Sequence, residues 1–234
     1  MKETTSKQEN NCRRSQMSSP KMKVKGILLD MDGTILDTKN AYIEAAKITF
    51  QTMGQTPPEN AVALEIPKRI EQKQPLSDIV KGESQKFLDF YLKTFYVIVL
   101  NKTKPIPHAA DALEELSRKA KLALITMRST PKETLMEELR RLKMDQYFSY
   151  VVTALDTNKP KPSPEALIKA GRAMGVQMCD CVIVGDSVID IQAGKAAGIK
   201  TVSVLSGLYS REELSKANPN YIINDISELP KILN

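Results

Sequence analysis

From Val24 onward the chain alternates short apolar runs with amphipathic helical stretches, a pattern that a parallel sheet with crossover helices requires. Five runs read as strands: residues 25–30 (KGILLD), 122–126 (LALIT), 150–153 (YVVT), 181–185 (CVIVG) and 201–205 (TVSVL). Residues 221–224 (YIIN) add a sixth at the edge. Between them, residues 107–120 carry Ala109, Leu113 and Leu116 at helical spacing. Residues 131–142 carry Leu135, Leu139 and Leu142, and residues 164–174 carry Leu167, Ile168 and Ala170. Gly175, Gly194 and Gly198 mark helix ends or close packing. One segment breaks the rhythm. Residues 39–104 read as helices without a core strand, opening with Tyr42, Ile43, Ala46 and Phe50 on one face and interrupted at Pro57, Pro58, Pro67 and Pro75. A longer helix then runs from about Ser84 through Phe87, Phe90, Tyr91, Phe95 and Val99. The expected organisation is a tail over residues 1–22, an α/β core over 23–38 and 105–234, and a helical lid over 39–104.

Composition narrows the function. The chain has 234 residues, 41% of them hydrophobic and 26% charged, enough to bury a sizeable core and too much to leave most of the chain disordered. Its longest apolar run, residues 95–100, falls far short of the ~18 residues that span a bilayer, so a soluble protein is expected. The first 25 residues are too polar for a secretory signal, and three cysteines make no disulfide framework; a reducing cytoplasm fits best. A single histidine, His108, excludes zinc sites built on two or more, and neither a Gly-x-Ser-x-Gly turn nor a Gly-x-x-x-x-Gly-Lys loop occurs. The net charge of +6 sits almost wholly in the tail, where seven Lys/Arg face two Glu over residues 1–25. This segment reads as solvated and disordered, with a weak polyanion-binding arm as the alternative.

The strongest chemical feature is Asp30-Met31-Asp32-Gly33-Thr34 at the carboxyl end of the first strand, where open α/β sheets place their ligands. On an extended chain Asp30 and Asp32 project to one side, and Gly33 permits a sharp exit. Two such carboxylates repel unless a cation or shared proton intervenes. A second pair, Asp186 and Asp190, follows the strand ending at Gly185, and hard oxygen ligands of this kind suit magnesium. Thr126 ends another strand with a hydroxyl that can donate to a phosphate oxygen. Lys161 follows the third strand, just ahead of a helix expected to be capped by Ser163 and begun by Pro164.

These four segments, DMDGTILDT, LALIT, KPSPEALIKAGRAMGV and VIVGDSVIDIQAGKAAGI, resemble in this order the signature motifs of the haloacid dehalogenase-like hydrolase superfamily. The last two are closest to its phosphoglycolate phosphatase and phosphoglucomutase branch. The resemblance covers about residues 24–233 and implies a Rossmann-like parallel-sheet core with an inserted helical cap. It implies Asp30 as the nucleophile forming an aspartyl-phosphate and Asp32 as acid and base. Magnesium would be held by Asp30, the Asp32 backbone carbonyl and Asp186, with Asp190 binding directly or through water. Lys161, Thr126 and backbone N–H groups after Asp30 would meet the phosphoryl charge, while Gly33 and Thr34 shape the nucleophile loop. In the family the lysine precedes a Gly-Val by fourteen positions, which Lys161 satisfies with Gly175-Val176 and Lys159 does not.

Two positions depart from the family pattern. Met127 and Arg128 stand where Asn usually follows the threonine; the Met127 N–H is expected to bind phosphate and Arg128 to reach a substrate anion. Pro107-His108 replaces the usual Pro-Gly, and His108 is read as a helix-start residue without chemistry, with Cys179 and Cys181 as structural. The second aspartate, Asp32, argues against dehalogenase chemistry. Residues 39–104 lack the Gly-x-Ser-Arg stretch of glucose-phosphate mutases. Hydrolysis of a small phosphomonoester is the first reading, mutase the second, and an idle binding module with a nucleic-acid-recruiting tail the third. The expected partner is a small phosphorylated metabolite rather than nucleic acid or membrane, with a monomer or homodimer as the assembly.

Overall fold

A computed structural model describes residues 21–234. In chain order they form β1 (Gly26–Leu29), β2 (Leu36–Asp37), α1 (Lys39–Thr52), α2 (Asn60–Glu71), α3 (Ser84–Lys102), β3 (Lys104–Pro105), α4 (Ala109–Lys119) and β4 (Lys121–Ile125). There follow α5 (Lys132–Arg141), β5 (Phe148–Val152), α6 (Glu165–Met174), β6 (Cys181–Gly185), α7 (Val188–Ala196), β7 (Lys200–Val204), α8 (Arg211–Lys216), β8 (Tyr221–Ile223) and α9 (Leu229–Ile232).

Six strands make a parallel sheet in the order β5-β4-β1-β6-β7-β8, which puts β1 at the centre between β4 and β6. Period two sorts their side chains onto two covered faces. Ile27, Leu29, Leu124 and Val184 pack with Leu113, Leu116, Leu135 and Leu139 of α4 and α5. On the other face Leu28, Ala123 and Ile183 pack with Leu167 and Ala170 of α6 and Ala193 of α7. Fully burying one such aliphatic side chain stabilises by about 1.5–3 kcal/mol, so the sheet is tightly specified. This is the expected α/β class, with the strands close to where the apolar runs placed them.

Residues 39–102 hold three helices whose apolar residues form a separate cluster around Phe50, Ile66, Phe87, Tyr91 and Phe95. Sequence reasoning missed how this insertion joins the core: β2 and β3 pair antiparallel, Leu36 opposite Pro105 and Asp37 opposite Lys104. The tail assignment falls mostly on residues 1–20, outside the described residues, but its last residue belongs to the core. Met22 is 2% exposed, its N–H donates to the Ile232 carbonyl at 2.9 Å, and it bridges Leu233. No helix among the described residues is long and apolar enough to cross a membrane.

Candidate active site

The β1 ladder ends at Leu29, and Asp30 still donates its N–H to the Val184 carbonyl at 2.9 Å. Beyond it the Met31 carbonyl accepts from the N–H groups of Ile35 and Leu36, each at 3.0 Å, so the chain coils instead of extending. Both aspartates sit at this one strand end, and each carboxylate has its own cation.

Asp30 Oδ1 accepts from Lys161 Nζ at 2.6 Å, and the same ammonium donates to Asp190 Oδ1 at 2.6 Å. The other Asp190 oxygen accepts from the Ser187 N–H at 3.2 Å and the Ser187 hydroxyl at 2.7 Å, at the start of α7. Asp190 thus closes the capping box of α7 and fixes Lys161 with one side chain. Lys159, the competing lysine, is exposed. Ser163 does accept from the Glu165 N–H at 3.3 Å, although Pro164 occupies the cap position itself.

Asp186 leaves the end of β6, and its Oδ2 accepts from the Leu208 N–H at 3.2 Å. Two glycines admit it. A Cβ on Gly33, whose φ is +76°, would fall 2.5 Å from Asp186 Oδ2, and one on Gly207 would fall 1.7 Å away. Ser206 donates to the Gly33 carbonyl at 2.6 Å, tying the loop after β7 to the nucleophile loop. Sequence reasoning did not single out Ser206 or Gly207, which lie outside the four motif segments. Thr34 is buried, and its hydroxyl has no hydrogen-bond partner among the described residues. The buried Thr126 hydroxyl accepts from the Arg128 N–H at 3.1 Å, with half-buried Met127 between them.

Asp30, Asp186 and Asp190 are buried with one carboxylate oxygen each within 4.8 Å of the others. Burial pushes Asp30 up to about 7; Lys161 opposes the shift and Asp190 adds to it. Burial, then Asp30 and Glu71, hold Asp186 well above the usual range. Burial alone would lower Lys161, but Asp190 and Asp30 raise it. If all three carboxylates ionised, one ammonium would leave two negative charges uncompensated, and an all-oxygen donor set of that kind fits a hard divalent cation.

Arg128, expected to reach a substrate anion, is paired with carboxylates of the protein itself. It is 3% exposed, with Nε on Asp32 Oδ2 at 2.8 Å, Nη2 on Asp32 Oδ1 at 2.6 Å and Nη1 on Glu138 Oε2 at 2.7 Å. Two carboxylates, one of them on α5, hold the fork and consume its charge. The Asp32 carboxylate is not among the three acids gathered within 4.8 Å, although its charge still raises Asp30. Glu138 escapes sequence reasoning because an acid on a charged helix looks solvated.

The insertion contributes groups of its own. Glu71, half-buried at the end of α2, accepts from the Tyr209 hydroxyl at 3.1 Å, and burial with Asp190 and Asp30 pushes it up to about 8. Gln72 donates to the same hydroxyl at 3.0 Å, and Lys68 pairs with Glu213 at 3.0 Å. From α3, Phe95 lies 5.8 Å from the Arg128 guanidinium and Tyr96 accepts from the Ser129 N–H at 3.0 Å. Beside the Tyr209 contacts lies a groove of about 710 Å3, lined by Glu71, Gln72, Pro162, Ile189, Tyr209 and Glu213 but by none of the clustered aspartates.

A parallel α/β core with buried acids at the end of its central strand and a helical insertion after it is the frame of a class of α/β hydrolases. The chain belongs to the haloacid dehalogenase-like hydrolase family, whose profile matches residues 27–204. It is 27% identical over 219 residues to pyrophosphatase PpaX of Halalkalibacterium halodurans, covering 91% of this chain and 98% of that one. It is 28% identical over 231 residues to phosphoglycolate phosphatase of Escherichia coli, covering 88% and 91%. In fold it is similar to a haloacid dehalogenase-like family hydrolase of Streptococcus pneumoniae, with a TM-score of 0.75, 20% identity and coverage of 88% and 96%.

Proposed function

We propose that the protein is a magnesium-dependent phosphatase of small phosphomonoesters, phosphoglycolate-like or sugar phosphates, acting through an aspartyl-phosphate on Asp30. The observation that carries this reading is the Lys161 ammonium at 2.6 Å from both Asp30 and Asp190, beside Asp186. A divalent ion would be held by Asp30, the Asp32 carbonyl and Asp186, with Asp190 direct or through water. When bound, it neutralises charge on the transferring phosphoryl group. Asp30 attacks phosphorus as the bond to the leaving oxygen breaks, and Asp32 supplies that oxygen with a proton. Asp32 then takes a proton from water as it attacks phosphorus, freeing Asp30 and inorganic phosphate. Lys161, the Thr126 hydroxyl and the backbone N–H groups after Asp30 and at Met127 hold the phosphoryl oxygens, while Gly33 and Thr34, whose own N–H groups bond the Leu36 and Met31 carbonyls, shape the loop. The insertion acts as a lid over the clustered carboxylates.

A screen of phosphate esters with and without magnesium tests this, alongside Asp30→Asn. The expected outcome is magnesium-dependent release of phosphate that falls about a thousandfold or more in the variant. Its circular dichroism should remain that of the wild type. Wild-type turnover by a folded Asp30→Asn would overturn the nucleophile assignment.

A further inference from the structure

Resting on that reading, the side chains that the insertion brings against the acids describe the alcohol that carries the phosphate. Tyr42 of α1 lies flat on Phe95, ring centroids 4.5 Å apart, and Phe95 in turn faces the Arg128 guanidinium that holds Asp32. The Tyr42 hydroxyl makes no hydrogen bond among the described residues. Burial, then the charges of Asp32, Glu71 and Asp186, hold it well above the usual phenol range, so it stays a donor. Glu71, at the end of α2, gives one carboxylate oxygen to the Tyr209 hydroxyl and keeps the other as an acceptor. Tyr209 follows Leu208, whose N–H holds Asp186, and Glu71 lies within electrostatic reach of Asp190 and Asp30. The insertion thus turns one free donor and one free acceptor toward the reacting centre.

What this face lacks is a positive charge. Lys161 is spent on Asp30 and Asp190, and Arg128 on Asp32 and Glu138. Lys68, 5.2 Å from the Tyr209 ring, is spent on Glu65 and Glu213 at 3.0 Å each. Lys73 and Lys216 line the neighbouring groove but are exposed, where water and salt screen them. A leaving group bearing a carboxylate or a second phosphate would meet a phenol and an acid, and no uncommitted cation among the described residues. A hydroxyl is both donor and acceptor and matches Tyr42 and Glu71 together.

We propose that Tyr42 and Glu71 select the leaving group, admitting a neutral alcohol with further hydroxyls, as in polyol and sugar phosphates, and rejecting one that carries a carboxylate or a second phosphate. Of the two substrate groups named above, sugar phosphates are then the better fit. In substrate the chain departs from the phosphoglycolate phosphatase and the pyrophosphatase to which it is similar in sequence.

The test compares kcat/KM of the full-length protein with magnesium on glycerol phosphate, ethyl phosphate and phosphoglycolate, which share an alkyl leaving oxygen and differ in what the alcohol carries. In the wild type, glycerol phosphate is expected to exceed ethyl phosphate about tenfold and phosphoglycolate about a hundredfold. Tyr42→Phe keeps the ring on Phe95 and should lower the glycerol-to-ethyl ratio about fivefold, chiefly through KM. Glu71→Lys supplies the missing cation and should narrow the glycerol-to-phosphoglycolate gap about tenfold or more. Glu71→Gln, of the same size, is the safer variant for folding and should narrow that gap about threefold. A wild type that prefers phosphoglycolate to glycerol phosphate would overturn the proposal and leave the phosphatase reading standing. So would ratios that stay fixed in folded Tyr42→Phe and Glu71→Gln, since a merely structural role lowers all three substrates together. A wild type that releases no phosphate from any of them would remove both.

Discussion

His108 shows how a single backbone angle can be read as a stability reserve. It sits at φ +60°, ψ +11° ahead of α4 and its side chain is 76% exposed, so nothing packs to offset the left-handed conformation. Replacing it with glycine removes a steric cost of about 1–2 kcal/mol and adds unfolded-chain entropy, for a net gain of about 0.5–1 kcal/mol in denaturant unfolding. The family's Pro-Gly at this point makes the departure legible in the sequence, although its geometry is not. Glu71 is the opposite case. Its ordinary value is 4.5 and its folded value about 8, so the folded state binds the proton more tightly than the unfolded chain. The associated stability is complete below pH 4.5 and lost as pH rises through 8. Glu71→Gln should therefore match the wild type near pH 4.5 and exceed it at pH 8.5, by about 1–2 kcal/mol after allowing for solvent relaxation. Thermal unfolding in chelator at the two pH values checks this, and an equal offset at both would contradict it. No spacing rule distinguishes Glu71 from Glu65, the other acid of its helix; only the contact of Glu71 with Tyr209 does.

Among the elements, the six sheet strands are legible because buried parallel strands must be apolar on both faces, and their carboxyl ends mark the site. The strands β2 and β3 are not: two residues each carry no periodicity, and their partner lies across the whole insertion. For the same reason the Arg128–Asp32–Glu138 contacts are invisible in the chain order, since they join three elements. The insertion has its own apolar cluster, so excising it should leave both faces of the sheet covered. We expect that replacing residues 39–102 by a short Gly/Ser linker, with β2 and β3 kept, retains hydrolysis of an activated aryl phosphate within about tenfold. The best natural substrate should lose about a hundredfold or more, because water exclusion and leaving-group contacts go with the lid. Kinetics on both substrates decide it. Equal losses in a folded variant would mean that the insertion supplies a catalytic group, with Glu71 the foremost candidate.

At the scale of the whole molecule, seven of the 34 Lys/Arg lie in residues 1–25, yet the proposed site draws on the ends of β1, β4 and β6 and the segment before α6. Deleting residues 1–20 should leave kcat/KM for a small substrate within about twofold. Deleting residues 1–24 should instead cost about 2–4 kcal/mol, since Met22 and Val24 are buried in the sheet's larger apolar cluster. Chemical denaturation of the two truncations separates these outcomes; an equal effect on both would show that residues 1–20 contribute to the fold. The β2–β3 ribbon has a further consequence. Because the insertion leaves and rejoins the core through strands that pair with each other, the core meets it as a plug in a two-stranded socket. A different module could be grafted onto Asp37 and Lys104 without altering β1 or its neighbours. Selection could then revise what the enzyme recognises while inheriting unchanged the part that breaks the bond.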